Sequence, residues 1–179
     1  MLPKKMTHDH RTTGPRERRA KTPEQALSAL MRLCARAEKS EGDARRLMRG
    51  WGVAEADAEQ VLERLVRERF IDDTRYAEAF VREKLRLSGW GEYKLRAALQ
   101  RKGIARETVD AALQQIDRTG MSDRLAEQLA RTTRTLRAAT PYEQKTKLIR
   151  YGLSLGYDYE TVHEAVSQYI KETDTCDEF

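Results

Sequence analysis

Gly103-Ile104-Ala105-Arg106-Glu107-Thr108-Val109-Asp110-Ala111-Ala112-Leu113-Gln114-Gln115-Ile116 carries a pattern that occurs three times in the chain. The glycine is followed after one, six, ten and thirteen residues by Ile104, Val109, Leu113 and Ile116. Counting from Gly52, the same positions hold Val53, Ala58, Leu62 and Leu65; from Gly156 they hold Tyr157, Val162, Val166 and Tyr169. Steps of three and four residues set these side chains on one helical face. The three glycines lie about 50 residues apart, a period that marks a helical repeat array. Each is suited to end the preceding helix in a left-handed cap.

Each repeat accommodates three helices. The first is expected at 23–39, 43–51 and 54–69, the second at 73–88, 91–102 and 105–117, and the third at 122–138, 141–155 and 158–171. Asp72, Ser122 and Asp158 are candidate N-caps, and Pro23 and Pro141 suit first turns, where the missing N–H does no harm. The predicted fold class is all-α: three tandem three-helix repeats forming a short curved array. The expected divisions are a disordered basic arm over 1–22, repeats over 23–71, 72–120 and 121–171, and an acidic tail over 172–179.

Composition agrees. Ala, Glu, Lys, Leu and Arg make up about half of the 179 residues, and no proline falls between 24 and 140. Pro in a helix interior costs about 3 kcal/mol. The two cysteines, Cys34 and Cys176, form no metal-ligand pattern. No apolar run approaches the roughly 20 residues of a membrane span, and the first residues lack the apolar core of a signal peptide. A cytoplasmic protein is expected, with no metal and no cofactor.

The net charge is +5, which favours a polyanionic partner, and its placement is more informative than its sum. The second helix of each repeat is basic: Arg45, Arg46 and Arg49; then Lys94, Arg96, Arg101 and Lys102; then Lys145, Lys147 and Arg150. The third helices are each net negative. Repeated in phase, this predicts a basic stripe able to follow a phosphate backbone or an acidic protein polymer. It also argues against a helix-turn-helix reading, since phosphates would repel the acidic third helix placed in the groove.

Catalytic signals are missing. Neither GxxxxGK[ST] nor GxGxxG occurs. His8 and His10 fall in the basic arm, and His163 stands alone on the last helix. Cys34 shares a helical face with Leu27 and Leu30 and reads as a core residue. Trp51 and Trp90, beside glycines at helix junctions, read first as packing residues and alternatively as stacking platforms. The chain is expected not to be an enzyme.

The run Arg69-Phe70-Ile71-Asp72-Asp73-Thr74-Arg75-Tyr76-Ala77 is followed by Gly91-Glu92-Tyr93-Lys94-Leu95-Arg96-Ala97-Ala98-Leu99-Gln100-Arg101-Lys102-Gly103-Ile104. Together they resemble the signature of the RecX family. The stretch Glu143–Arg150, with Gly156-Tyr157, resembles that family's third repeat, and the likeness spans about residues 25 to 170. It implies a non-enzymatic regulator that docks in the groove of the RecA–single-stranded DNA filament and inhibits RecA's ATPase and strand exchange, in recombination and DNA repair. The expected contacts to filament or DNA are Lys94, Arg96, Arg101, Lys102, Lys145, Lys147 and Arg150, then Arg45, Arg46 and Arg49. Asp72, Asp73, Arg75 and Tyr76 are assigned to the repeat junction. The alternative is a sequence-tolerant single-strand binder acting without RecA, with the arm as its main contact. A purely structural scaffold is the third reading.

Overall fold

The computed structural model describes residues 20–176, with side chains to residue 170. The positions of His8 and His10, and all but the last three residues of the expected arm, lie outside the described residues, as do 177–179. The described chain forms nine helices and no strand: α1 Pro23–Cys34, α2 Glu41–Gly50, α3 Glu55–Arg67, α4 Asp73–Ser88, α5 Glu92–Arg101, α6 Arg106–Gln114, α7 Arg118–Thr133, α8 Pro141–Leu155 and α9 Tyr159–Cys176.

Local chemistry fixes the ends. Thr22 and Gln25 form a reciprocal capping box at α1, with Pro23 in the first turn. Ser40, Asp72 and Thr140 each accept from the backbone amide three residues on. Gly52, Gly103 and Gly156 all have positive φ, at 74°, 81° and 92°, where any other residue type would be strained.

The helix expected from Ser122 instead starts at Arg118, capped by Asp117. Gly120 looks like a breaker in the sequence. A Cβ there would sit 2.6 Å from Asp117 Oδ2, so its absence makes room for the capping carboxylate. Residues 172–176, expected in a tail, continue α9.

Each triplet of helices closes on its own core. Leu30, Met48 and Leu65 are fully buried in the first, Leu95, Leu99 and Val109 in the second, and Leu125, Leu148 and Val162 in the third. Burying such side chains contributes roughly 1.5–3 kcal/mol each. Among the described residues, Asp43 and Ser40 are the buried polar ones, both at the amino end of α2.

The second helices of successive units meet end to end. The amino end of α2 rests on the carboxyl end of α5: Ser40 Oγ donates to the Lys102 carbonyl at 3.2 Å. The amino end of α5 rests likewise on α8, with the Gly91 amide donating to the Leu155 carbonyl at 2.8 Å and the Tyr93 amide to that of Gly156 at 3.0 Å. At both contacts a helix start meets a helix finish, which pairs opposite ends of two macrodipoles. Gly42 and Gly91 permit this approach, since a Cβ on either would fall inside contact distance of the opposing backbone.

The array also has two distinct ends. At one end, the finish of α2 meets no other second helix among the described residues, and the Lys21 amide donates to the Trp51 carbonyl at 3.0 Å. Residues 20–22, expected in the arm, therefore lie on the first unit. Trp51, Lys102 and Leu155 each stand one residue before an anchor glycine, so one equivalent carbonyl is satisfied three times. At the other end α8 has 15 residues against 10 in α2 and α5. Its added first turn carries Tyr142, 81% exposed.

Candidate functional site

The expected basic residues fall into two groups once their neighbours are placed. Arg45 lies seven residues before Gly52, and Glu59 seven after; Arg96 and Asp110 stand the same way about Gly103. Each arginine bridges its carboxylate across the two helices, and each also pairs with the acid one turn earlier, Glu41 or Glu92. These are repeated staples between the second and third helices. In the third unit the equivalent positions hold Lys145, Ile149 and His163. The staple is absent there: Ile149 stands where the arginine would be, and Lys145 takes the place of the acid at Glu41 and Glu92.

Lys102 and Lys94 serve the junctions. Lys102 Nζ lies 3.0 Å from Asp43 Oδ1, and Arg46 binds the same carboxylate oxygen. Burial works to raise the Asp43 pKa, but the two cations outweigh it and hold the group below its ordinary value. Lys94 Nζ donates to the Ser154 carbonyl at 3.1 Å and sits 4.8 Å from the Trp90 ring centroid. Lys147 pairs with Glu143 and donates to the Arg137 carbonyl.

Arg49, Arg101, Lys145 and Arg150 form the second group. None makes an ion pair among the described residues, and Arg49, Arg101 and Arg150 are exposed. Arg101 bonds only the Ala97 carbonyl of its own helix. The second helices thus retain cations in every unit.

Asp72, Asp73, Arg75 and Tyr76 are brought together where the first two units meet. Asp72 caps its own helix, while Asp73 Oδ1 accepts from the Glu41 amide at 2.9 Å, reaching the start of α2. Burial lifts the Asp73 pKa despite that bond. Arg75 clamps Glu38 with two hydrogen bonds, at 2.7 and 3.0 Å, and reaches the Arg69 carbonyl. Arg69 holds φ 58°. Tyr76 is buried, in ring contact with Phe80, which meets Trp90 edge-on. Trp90 and Trp51 are half-buried packing residues under lysines. Cys34 packs on the first core, and burial raises its thiol pKa.

Sequence reasoning missed three exposed tyrosines. Tyr93 and Tyr142 occupy the second position of α5 and α8, at 62% and 81% exposure, and Tyr159 opens α9. The repeat does not reveal the match, since Tyr93 stands ten residues before Gly103 and Tyr142 fourteen before Gly156, in the turn that α8 adds. No cluster of ligand side chains suited to a metal occurs among the described residues, nor is any helix there long and apolar enough to cross a membrane.

The arrangement has known counterparts. A family profile described as RecX, second three-helix domain, matches residues 72–113, which contain the Asp72–Tyr76 junction and all of α4 and α5. Regulatory protein RecX of Chlorobaculum tepidum is 29% identical over 147 residues, covering 82% of this chain and 89% of its own. Its counterpart in Mycolicibacterium vanbaalenii is 33% identical over 108 residues, covering 60% and 58%. The crystal structure of RecX from Lactobacillus salivarius shares the fold, with a TM-score of 0.68 at 19% identity over 82% of this chain and 95% of that one. In its second unit, in its relatives and in its fold, this chain is similar to regulatory proteins of the RecX family.

Proposed function

We propose that this protein regulates the RecA recombinase by lying along the RecA–single-stranded DNA filament and restraining its ATPase and strand exchange. The likeness to regulatory proteins of the RecX family supplies RecA as the partner. The observation that carries the reading is the end-to-end succession of α2, α5 and α8, each bearing basic side chains. Arg49, Arg101, Lys145 and Arg150 lead the contacts to protein acids and DNA phosphates. Lys94, Arg46 and Lys147 flank them, while Arg45, Arg96 and Lys102 hold the scaffold. The protein does no chemistry of its own: it binds one filament state better than another, and that difference shifts the filament's stability and turnover. Several weak patches on one rigid array favour a polymer over free subunits.

The test is RecA's ATPase on single-stranded DNA, with this protein added well below one copy per RecA protomer. Inhibition with DNA in excess supports filament docking. A second reading, direct binding to single-stranded DNA, is favoured by Tyr93 and Tyr142, exposed beside basic residues as base-stacking platforms would be. It predicts no ATPase effect at that ratio, with tight, salt-sensitive binding to bare DNA.

A further inference from the structure

We infer that the cleft between the second and third units is a docking site for an acidic, leucine-bearing peptide segment of a partner protein. The cleft lies between α4, α6 and α7, away from the second helices, and has a volume of about 380 Å³, within the range of built ligand sites. Its floor is aliphatic. Leu85 and Ile116 belong to the edge of the second core and Met121 to the edge of the third. All three are half-buried, so the floor is apolar surface where two cores come together without closing.

The rim is cationic. Arg82 and Arg86 stand one turn apart on α4, and Arg124 faces them from α7. All three are exposed, and none has an ion-pair partner among the described residues. Two acids also line the cleft, Glu78 and Asp117, but Asp117 is engaged in capping α7. Three guanidiniums suited to bidentate carboxylate recognition over a floor that accepts branched aliphatic side chains match an acidic amphipathic segment. Single-stranded nucleic acid fits less well, because its bases need aromatic faces for stacking and no aromatic residue lines the cleft.

The probe is a fluorescein-labelled 14-residue peptide of glutamates with leucines at helical spacing, titrated with the whole protein and followed by anisotropy. Saturable micromolar binding is expected. The Arg82→Glu/Arg86→Glu/Arg124→Glu variant should weaken it at least tenfold, and a lysine–leucine counterpart should bind that variant instead. In protein carrying ¹³C-methyl methionine, the Met121 signal should shift on peptide addition. Should charge reversal disturb the fold by circular dichroism, the corresponding triple Gln variant serves, with a loss of about fivefold expected. Undiminished binding by the folded variant overturns the proposal. So does equal affinity for an all-glutamate peptide, or displacement of the peptide by a dT₁₄ oligonucleotide whose own binding the variant loses.

Discussion

The Arg45 guanidinium donates from Nε to Glu59 Oε1 at 2.9 Å and from Nη2 to Oε2 at 3.2 Å, spanning the same 14 residues of chain that separate Arg96 from Asp110. A forked pair of this kind orients α2 on α3. Both side chains are more than a third exposed, so solvent screens the pair and its contribution is about 0.5–1 kcal/mol. In a double-mutant cycle, Arg45→Ala and Glu59→Ala should each cost that much. Their coupling in urea unfolding should be about 0.5 kcal/mol. Strict additivity would show the bridge to be idle.

Gly42 tests the contact between units. It has ordinary helical backbone geometry, so alanine there introduces no φ strain, and its effect is purely one of space: the new methyl meets the Lys102 carbonyl. Gly42→Ala should therefore move the first unit off the second at a cost of about 1–3 kcal/mol. Gly50→Ala, with nothing within 4 Å of the added carbon, is the control. Urea denaturation should stay a single transition in the control and broaden or divide in Gly42→Ala, with a larger radius by small-angle scattering.

Two acids at that junction respond to pH in opposite senses. Asp43 keeps a depressed pKa because Lys102 and Arg46 outweigh its burial. Its contribution is present above the unfolded value of about 4 and is lost as pH falls through the folded value. Asp73 is raised by burial, so its charge costs stability at neutral pH, and that cost is relieved as pH falls through its folded value. Asp43→Asn should flatten the acid limb of a stability–pH curve below about pH 5, and Asp73→Asn should steepen it. Urea midpoints from neutral to strongly acidic pH measure both, and parallel curves for the two variants would refute the assignment.

The units themselves were legible because apolar spacing and anchor glycines answer to local rules: a helix buries one face, and a chain leaving it needs positive φ. The Arg45 and Arg96 staples were legible in principle, since arginine and acid keep the same offsets from Gly52 and Gly103. Summing charge helix by helix concealed them, because a net positive helix does not distinguish a stapled arginine from a solvent-facing one. The close approach at Gly42 and Gly91 was not readable. It joins residues about 60 apart through backbone atoms, and no side-chain periodicity records it. The start of α7 was misplaced because Gly120 serves the Asp117 cap rather than breaking the helix.

Pairing within the fold divides the basic residues into sets that should behave differently. Neutralising Arg49, Arg101, Lys145 and Arg150 to Gln removes cations with no internal carboxylate, so thermal stability should change little, by about 0.5 kcal/mol or less per site. If these side chains meet the filament, inhibition of the RecA ATPase should weaken at least tenfold. The salt dependence of binding should also flatten, by about 0.7 in slope for each DNA phosphate that is no longer neutralised. Converting Arg45, Arg96 and Lys102 to Gln should do the reverse. It leaves Asp43, 6% exposed, with only Arg46 to offset it, so stability drops by about 1–3 kcal/mol for that site, while inhibition measured well below the unfolding temperature survives. Equal loss of inhibition in both sets, with both proteins folded, would show that the cations act through total charge rather than through their places along α2, α5 and α8.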